Sequence, residues 1–206
     1  MGNGSSTGGG RGRRRDMIPE AGEDKEWTFL STFERQYGSS THPFFYTCRF
    51  PEALKIGDEE RKFVFIYLHS PADRHFTPAF CKHTLSSDRV VQYLDDNFVT
   101  WGALADRGEG RQMAKTLLRP GTFPCCAVVA PAAGEDMTVL QQMEGPMSPE
   151  KLVEILRRTV EDHGLAFGHE RAKERKRSKA RAKEEEKLRE DKEKEKLKKK
   201  KGQQYY

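Results

Sequence analysis

A short apolar run in the first half of the chain constrains its fold more than any other feature. Residues 62–68, KFVFIYL, are apolar on both alternating sets of positions. A strand with this pattern is buried on both faces, because successive side chains of a strand point to opposite sides of the sheet. The sequence therefore predicts a central strand between two layers of helices, and this places the chain in the α/β class.

The segments around this strand alternate between helical and extended patterns. Apolar periodicity and capping residues predict helices at 27–37, 51–60, around 79–81, 86–94, 111–118 and 149–164, and strands at 62–68, 97–101, 125–129 and 137–143. The last helix has Ser148 as its N-cap and Pro149 at its first position, and Gly164 is expected to end it. This order predicts a thioredoxin-like mixed sheet with helices on both faces.

Only part of the chain can take part in that fold. Just 35% of the 206 residues are hydrophobic, and the mean hydropathy is -0.86, so one modest domain is the most that can be packed. We expect this domain at residues 26–167. A disordered Gly/Arg-rich arm is expected at 1–25, and a charged tail, helical or disordered, at 168–206.

The net positive charge of the chain comes from these two arms. Residues 1–15 carry four Arg and no acidic residue, and residues 170–206 carry 17 basic and nine acidic residues. Residues 16–169, in contrast, carry 16 basic and 23 acidic residues. The folded domain is therefore acidic, and a basic nucleic-acid surface on it is not expected.

The amino terminus matches a lipidation pattern. Met1-Gly2 followed by Ser6 fits M-G-x-x-x-[ST], the pattern for N-myristoylation at Gly2. A myristoyl chain alone holds a protein weakly to a bilayer, whereas a basic cluster beside it can make the attachment stable. The chain offers such a membrane-contact cluster in Arg11, Arg13, Arg14 and Arg15. Such a short motif also occurs by chance, so both interpretations stay open.

The tail is almost entirely Lys, Arg, Glu and Asp. Its few apolar residues do not form the heptad seam of a coiled coil. We interpret residues 170–201 as a solvated, charge-laced helix that serves as a linker. Contact with an anionic membrane is the next interpretation, and nucleic-acid binding, which we do not expect, is the third.

Thiol chemistry is the enzymatic activity that a thioredoxin-like layout suggests. A dithiol reductase needs two cysteines at a helix N-terminus, because the helix dipole lowers the pKa of the first thiol and the second releases the mixed disulfide. Here Cys81-Lys82-His83-Thr84 has Thr at the second position, which excludes a dithiol cycle in this segment. Cys81 could still be a single reactive thiol, but a structural role in the core is favoured.

Two further features accompany the third predicted strand. In a thioredoxin-like layout Pro124 opens the strand that faces the active-site helix, and we expect the Phe123-Pro124 bond to be cis. The adjacent Cys125 and Cys126 should point to opposite faces of the sheet and fill space in the core. We expect no metal, no cofactor and no catalytic residue.

Several of these segments together resemble one known domain, the UAS domain of the FAS-associated factor family, in its factor-2 and plant UBX-protein branch. The resemblance covers about residues 28–165 in order. It is carried by Phe33 to Gly38 (FERQYG), His42-Pro43, Phe63 to His69 (FVFIYLH), Phe80-Cys81 with Thr84-Leu85, Asn97 to Gly102 (NFVTWG), Thr122 to Pro124, and Leu140 to Gly145 (LQQMEG).

The resemblance implies a thioredoxin fold without redox activity. It implies an adaptor with protein partners in ubiquitin-dependent degradation, in the cytoplasm at the surface of the endoplasmic reticulum or of lipid droplets. It also implies long-chain fatty acids as ligands and self-association into homo-oligomers. The family's ubiquitin-associated domain, membrane hairpin and UBX domain have no counterpart among these residues. Ubiquitin binding and ATPase recruitment are therefore not supported by this sequence. The alternatives are a single-thiol redox protein that uses Cys81 and a nucleic-acid binder that uses the basic tail.

Overall fold

The computed structural model of the protein describes residues 28–38, 41–132 and 136–202. In chain order the elements are α1 (Thr28–Tyr37), α2 (Phe50–Glu60), β1 (Phe63–His69), α3 (Thr77–Ala79) running directly into the π-helical segment π1 (Phe80–Leu85), α4 (Asp88–Asn97), β2 (Phe98–Leu104), α5 (Gly108–Met113) running into π2 (Ala114–Leu118), β3 (Cys125–Pro131), β4 (Met137–Glu144) and α6 (Pro149–Gly202).

The four strands form one mixed sheet in the order β2-β1-β3-β4. β1 pairs in parallel with β2 and antiparallel with β3, and β3 pairs antiparallel with β4. All seven residues of β1 are buried, so the central strand is where the sequence predicts it. Outside β2, Phe45 forms an isolated parallel bridge with Thr100, which extends this edge of the sheet by one residue.

Helices cover both faces of the sheet and divide the core into two apolar layers. The first layer packs α1, π1, α4 and α6 against one face, and its fully buried members include Phe33, Phe65 and Leu152. The second packs α2, α5 and π2 against the other face, with Ile66 and Leu54 among its members. The predicted thioredoxin-like architecture, with helices on both faces, is confirmed.

The start of β3 has the two local features that the sequence indicates. The Phe123–Pro124 peptide bond is cis. Cys126 belongs to the first apolar layer and Cys125 to the second, so the two neighbouring thiols lie on opposite faces of the sheet. Both side chains are completely buried, and they fill the two layers as small apolar groups.

The prediction that α6 ends at Gly164 is wrong, because the helix continues to Gly202. A glycine costs a helix about 1 kcal/mol relative to alanine but does not break it. Contacts beyond Gly164 favour continuation, since the ring of Phe167 packs 4.8 Å from that of Phe63 in β1. The 54 residues of α6 correspond to a length of about 80 Å.

No helix within the described residues combines the length and the apolar character needed to cross a membrane.

Candidate functional site

A thioredoxin-type reductase carries out its chemistry at one edge of the sheet, and the equivalent edge of this chain can be located. It lies where β1 ends at His69, beside the cis bond that precedes β3, because Leu68 is paired with Cys125. The helix that follows β1 begins at Thr77. We define this edge site by His69, Asp73, Thr77, Cys81 and Tyr67.

Cys81 does not lie at the start of that helix. The helix begins with α3 at Thr77 and continues as π1, so Cys81 lies after the first turn. Its side chain is completely buried. The neighbouring Lys82 and His83 are exposed and so face away from it. A thiol in this position gains little from the helix N-terminus, where the positive end of the dipole is concentrated in the first turn.

Asp73 lies in the loop before the helix, and its carboxylate accepts hydrogen bonds from the residues that lead into the first turn. Its Oδ1 accepts hydrogen bonds from the backbone N–H of His75 at 3.1 Å and of Phe76 at 3.4 Å. Its Oδ2 accepts from the backbone N–H of Thr77 at 2.8 Å and from the Thr77 hydroxyl at 2.7 Å. Slight burial opposes ionisation, but these hydrogen bonds outweigh it and lower the pKa of Asp73. The free N–H groups of the helix end are thus satisfied by a carboxylate.

Behind this cap, three buried polar side chains form a closed cluster. The Tyr67 hydroxyl lies 2.9 Å from Nδ1 of His69 and 3.0 Å from Sγ of Cys81. Burial raises the pKa of the Cys81 thiol to about 11, although the hydrogen bond to Tyr67 works in the opposite direction. Burial also raises the pKa of Tyr67. The thiol is therefore protonated at neutral pH, and only a thiolate is a competent nucleophile.

His69 is the third member of the cluster and is neutral at physiological pH. Burial lowers its pKa to about 4, despite the opposing influence of the Asp106 and Asp73 carboxylates. Its Nε2 has no hydrogen-bond partner among the described residues. A neutral ring cannot stabilise a thiolate on Cys81 by charge, so the cluster does not activate the sulfur.

Thr84 has a structural role in this arrangement. Its hydroxyl donates a 2.6 Å hydrogen bond to the backbone carbonyl of Met147, and the side chain is buried. This bond ties π1 to the segment that precedes α6. The position where the sequence suggests a resolving cysteine thus carries a tertiary contact between π1 and the segment that precedes α6.

Sequence reasoning missed most of the residues that define the edge site. Asp73 lies four positions before Thr77, and from there its carboxylate reaches the first turn of the helix. No role was assigned to it from the sequence. His69 directly follows the predicted buried strand at 62–68. Burial disfavours the charged form of a histidine, so this position was the available indication that His69 is neutral. No local pattern indicates that Tyr67 lies between His69 and Cys81.

Of the other predicted site residues, the cis-proline Pro124 lies beside this site, directly before β3. Gly2 and the arginines of the N-terminal arm, Arg11, Arg13, Arg14 and Arg15, lie outside the described residues. Within the described ranges, no group of three or more His, Cys, Asp or Glu side chains comes together in a way that could hold a metal ion.

Comparisons with known proteins agree on one family. The family model described as Fas-associated factor 1 matches residues 29–120. Plant UBX domain-containing protein 10 of Arabidopsis thaliana is 39% identical over 177 residues, which is 84% of this chain and 36% of that protein. FAS-associated factor 2-B of Xenopus laevis is 30% identical over 129 residues, which is 63% of this chain and 28% of that protein. The chain thus spans about a third of the length of these relatives.

A solved structure supports the fold independently. A thioredoxin from Thermus thermophilus superposes with a TM-score of 0.52 at 25% identity, over 63% of this chain and 94% of that one. The predicted family resemblance and the thioredoxin-like fold are both confirmed.

Proposed function

We propose that this chain, whose folded domain belongs to the FAS-associated factor family, is a non-catalytic adaptor for protein partners in ubiquitin-dependent degradation. One observation carries the non-catalytic part of this proposal. At the edge where a thioredoxin acts, Asp73 caps the helix, and Cys81 is buried with a pKa of about 11. A fold without an accessible nucleophile at this edge is suited to binding and not to electron transfer.

The link to ubiquitin-dependent degradation rests on the relatives. The names of two of them describe a plant UBX domain-containing protein and a FAS-associated factor. This chain matches about a third of the length of each. The adaptor role proposed here is accordingly one of protein contact by this domain, and ubiquitin binding or ATPase recruitment is not part of the proposal.

The two parts of the proposal need separate experiments. The purified chain should not accelerate insulin reduction by dithiothreitol, and Cys81→Ser should leave the rate unchanged. For the adaptor part, a biotin ligase fused to the chain should label proteins of the degradation machinery in cells more strongly than the same ligase fused to a thioredoxin. Equal labelling by the two fusions would contradict the adaptor role, whereas catalysed insulin reduction that Cys81→Ser abolishes would contradict the non-catalytic role.

We also propose that the chain works at the cytoplasmic surface of the endoplasmic reticulum or of lipid droplets. Gly2 in a myristoylation pattern and the arginine cluster that follows support this location. Myristate labelling that disappears in Gly2→Ala, with loss of the chain from the membrane fraction, is the expected result. Changing the four arginines to Gln should release the protein without affecting labelling. An unlabelled wild type would overturn the proposal.

Fatty-acid binding and self-association are proposed on the family resemblance alone. Adding an unsaturated long-chain fatty acid to the purified chain should increase the mass measured by light scattering. A saturated acid of the same length is the matched control. An unchanged mass with the unsaturated acid would remove both properties from the proposal.

A further inference from the structure

The part of α6 beyond the domain contains a stretch with a strong excess of positive charge. We call residues 171–183 the basic segment; it holds eight basic residues and a single acidic one, Glu174. The following residues 184–197 hold five basic and seven acidic residues. A second, shorter basic run, Lys198 to Lys201, follows these residues near the end of the same continuous helix.

Within the basic segment, like charges repeat at the helical spacing. Arg171, Arg175, Lys179 and Lys183 form one row at intervals of four, and Lys173, Arg177 and Arg181 form a second. Like charges four apart destabilise a helix, whereas opposite charges stabilise it. The next segment has the stabilising pattern, since Arg181, Glu185, Arg189 and Glu193 alternate in sign at the same interval. An external anion would relieve the repulsion in the basic segment.

Four basic side chains of the segment are described as exposed, and these four lie on two opposite sides of the helix. Arg177 and Arg181 are exposed, as are Lys179 and Lys183. Residues four apart lie close to one line along a helix, and residues two apart are rotated by about 200°. The two arginines therefore face one way and the two lysines face almost the opposite way.

Charges on two opposite sides of the helix distinguish a membrane from a nucleic-acid duplex as the anionic partner. A flat membrane touches one side of a helix and needs an apolar stripe for insertion. The apolar residues of the basic segment are only Ala172, Ala180 and Ala182. A groove of a nucleic-acid duplex has a row of phosphates on each side, and the major groove of B-form DNA, about 12 Å wide, accepts a helix.

Residue types alone do not favour nucleic acid as a partner of the tail, but exposed charges on opposite sides of the helix do. We propose that the basic segment of α6 is a binding site for the phosphate backbone of a nucleic-acid duplex, with the helix lying in a groove between two phosphate rows. Lys and Arg contacts of this kind depend on charge and not on base sequence. Binding neutralises the like-charge rows, so it should also stabilise the helix of the segment. The acidic domain stays outside the groove because it is repelled by the phosphates.

Fluorescence anisotropy of the full chain with a labelled 20-base-pair duplex tests this proposal. The affinity should fall steeply between 50 and 200 mM salt, with a slope near -4 in log–log form for about four phosphate contacts. Changing Arg177, Arg181, Lys179 and Lys183 to Gln should weaken binding at least tenfold. The matched control changes Lys187, Arg189, Lys192 and Lys194 to Gln, which removes the same charge, and should stay within twofold of the wild type.

Two half-variants test the groove itself. Arg177→Gln with Arg181→Gln, and Lys179→Gln with Lys183→Gln, should weaken binding to a similar extent, because each removes one side of the contact. Circular dichroism should show that the variants remain as helical as the wild type. DNA and RNA duplexes are measured in parallel to identify the source of the phosphates.

Three results would overturn the proposal. The first is equal loss of affinity in the matched control, which would mean that net charge alone is responsible. The second is an effect of only one half-variant, which would indicate a flat surface. The third is binding to phosphatidylserine vesicles with no binding to either duplex, which would assign the segment to a membrane.

Discussion

His69 makes the stability of the domain depend on pH. Its pKa is lowered to about 4 in the folded protein, mainly by burial, against about 6.5 in an unfolded chain. Between these values the unfolded state binds more protons, so stability falls as the pH drops from about 6.5 to 4, by up to about 3 kcal/mol. Urea unfolding at pH 7 and at pH 4.5 measures this loss.

The contribution of His69 is isolated by substitution. Other carboxyl and imidazole groups of the unfolded chain also take up protons in this range, so the wild type alone does not identify the responsible group. His69→Gln cannot gain a charge and should lose less stability between the two pH values than the wild type. His83→Gln, at an exposed position, should lose as much as the wild type. An unchanged loss in His69→Gln would rule out His69 as the cause.

The four cysteines should differ sharply in reactivity. Burial raises the pKa of Cys81 to about 11 and of Cys125 to about 12, and that of Cys126 is raised as well. Cys48 is half-buried and the other three are buried. At pH 8, Ellman's reagent should titrate one thiol quickly in the native protein and four after unfolding. Cys48→Ser should remove the fast phase; a fast phase that disappears instead in Cys81→Ser would revive the single-thiol redox hypothesis.

The edge site shows why residue-level inference from sequence is limited. The absence of a dithiol in the segment from Cys81 to Thr84 could be read directly from the residue types. The position of Cys81 relative to the helix N-terminus could not be predicted, because it depends on where the helix after β1 begins. A loop of seven residues, 70–76, separates His69 from Thr77, and the Asp73 cap sets the start of the helix within it. Only the fold places Tyr67 between His69 and Cys81.

At the scale of elements, α6 carries two different roles along one helix. Its first part packs on the sheet through Leu152 and Leu156, both completely buried. Leu156→Ala should lower the free energy of unfolding by about 2 to 5 kcal/mol, because it leaves a cavity in the first apolar layer. Leu165→Ala is the matched control on the same helix; this side chain is 79% exposed, and a change within about 0.5 kcal/mol is expected. Chemical denaturation measures both, and similar values would contradict the packing of α6.

Elements with strong periodicity are predictable, and their ends are less so. The central strand was predictable because few structures other than a strand buried on both faces fit the apolar run at residues 62–68. The end of α6 was missed because a glycine stops a helix only when the next residues gain more by leaving it. Here Phe167 gains a contact with Phe63 by staying helical, and this long-range contact has no local signature in the sequence.

In the molecule as a whole, an acidic domain is joined without a break to a long charged helix. Since the first part of α6 belongs to the core, the direction of the remainder follows from the domain. A rigid helix of this kind can hold the domain at a set distance from whatever is attached at its far end, which suits an adaptor. The length of α6 in solution therefore bears directly on the proposed adaptor role.

Distance measurement by electron spin resonance tests this rigidity. Spin labels at Arg157→Cys and Lys192→Cys, both exposed positions, in a Cys48→Ser background, are separated by 35 residues. A continuous helix predicts about 52 Å between the labelled positions, whereas a flexible chain averages about 33 Å. Ser178→Pro should shorten and broaden the distribution, because proline breaks or kinks a helix interior, and Ser178→Ala should leave it unchanged. A broad distribution centred near the shorter distance in the protein without substitutions at Ser178 would show that α6 is not a continuous helix.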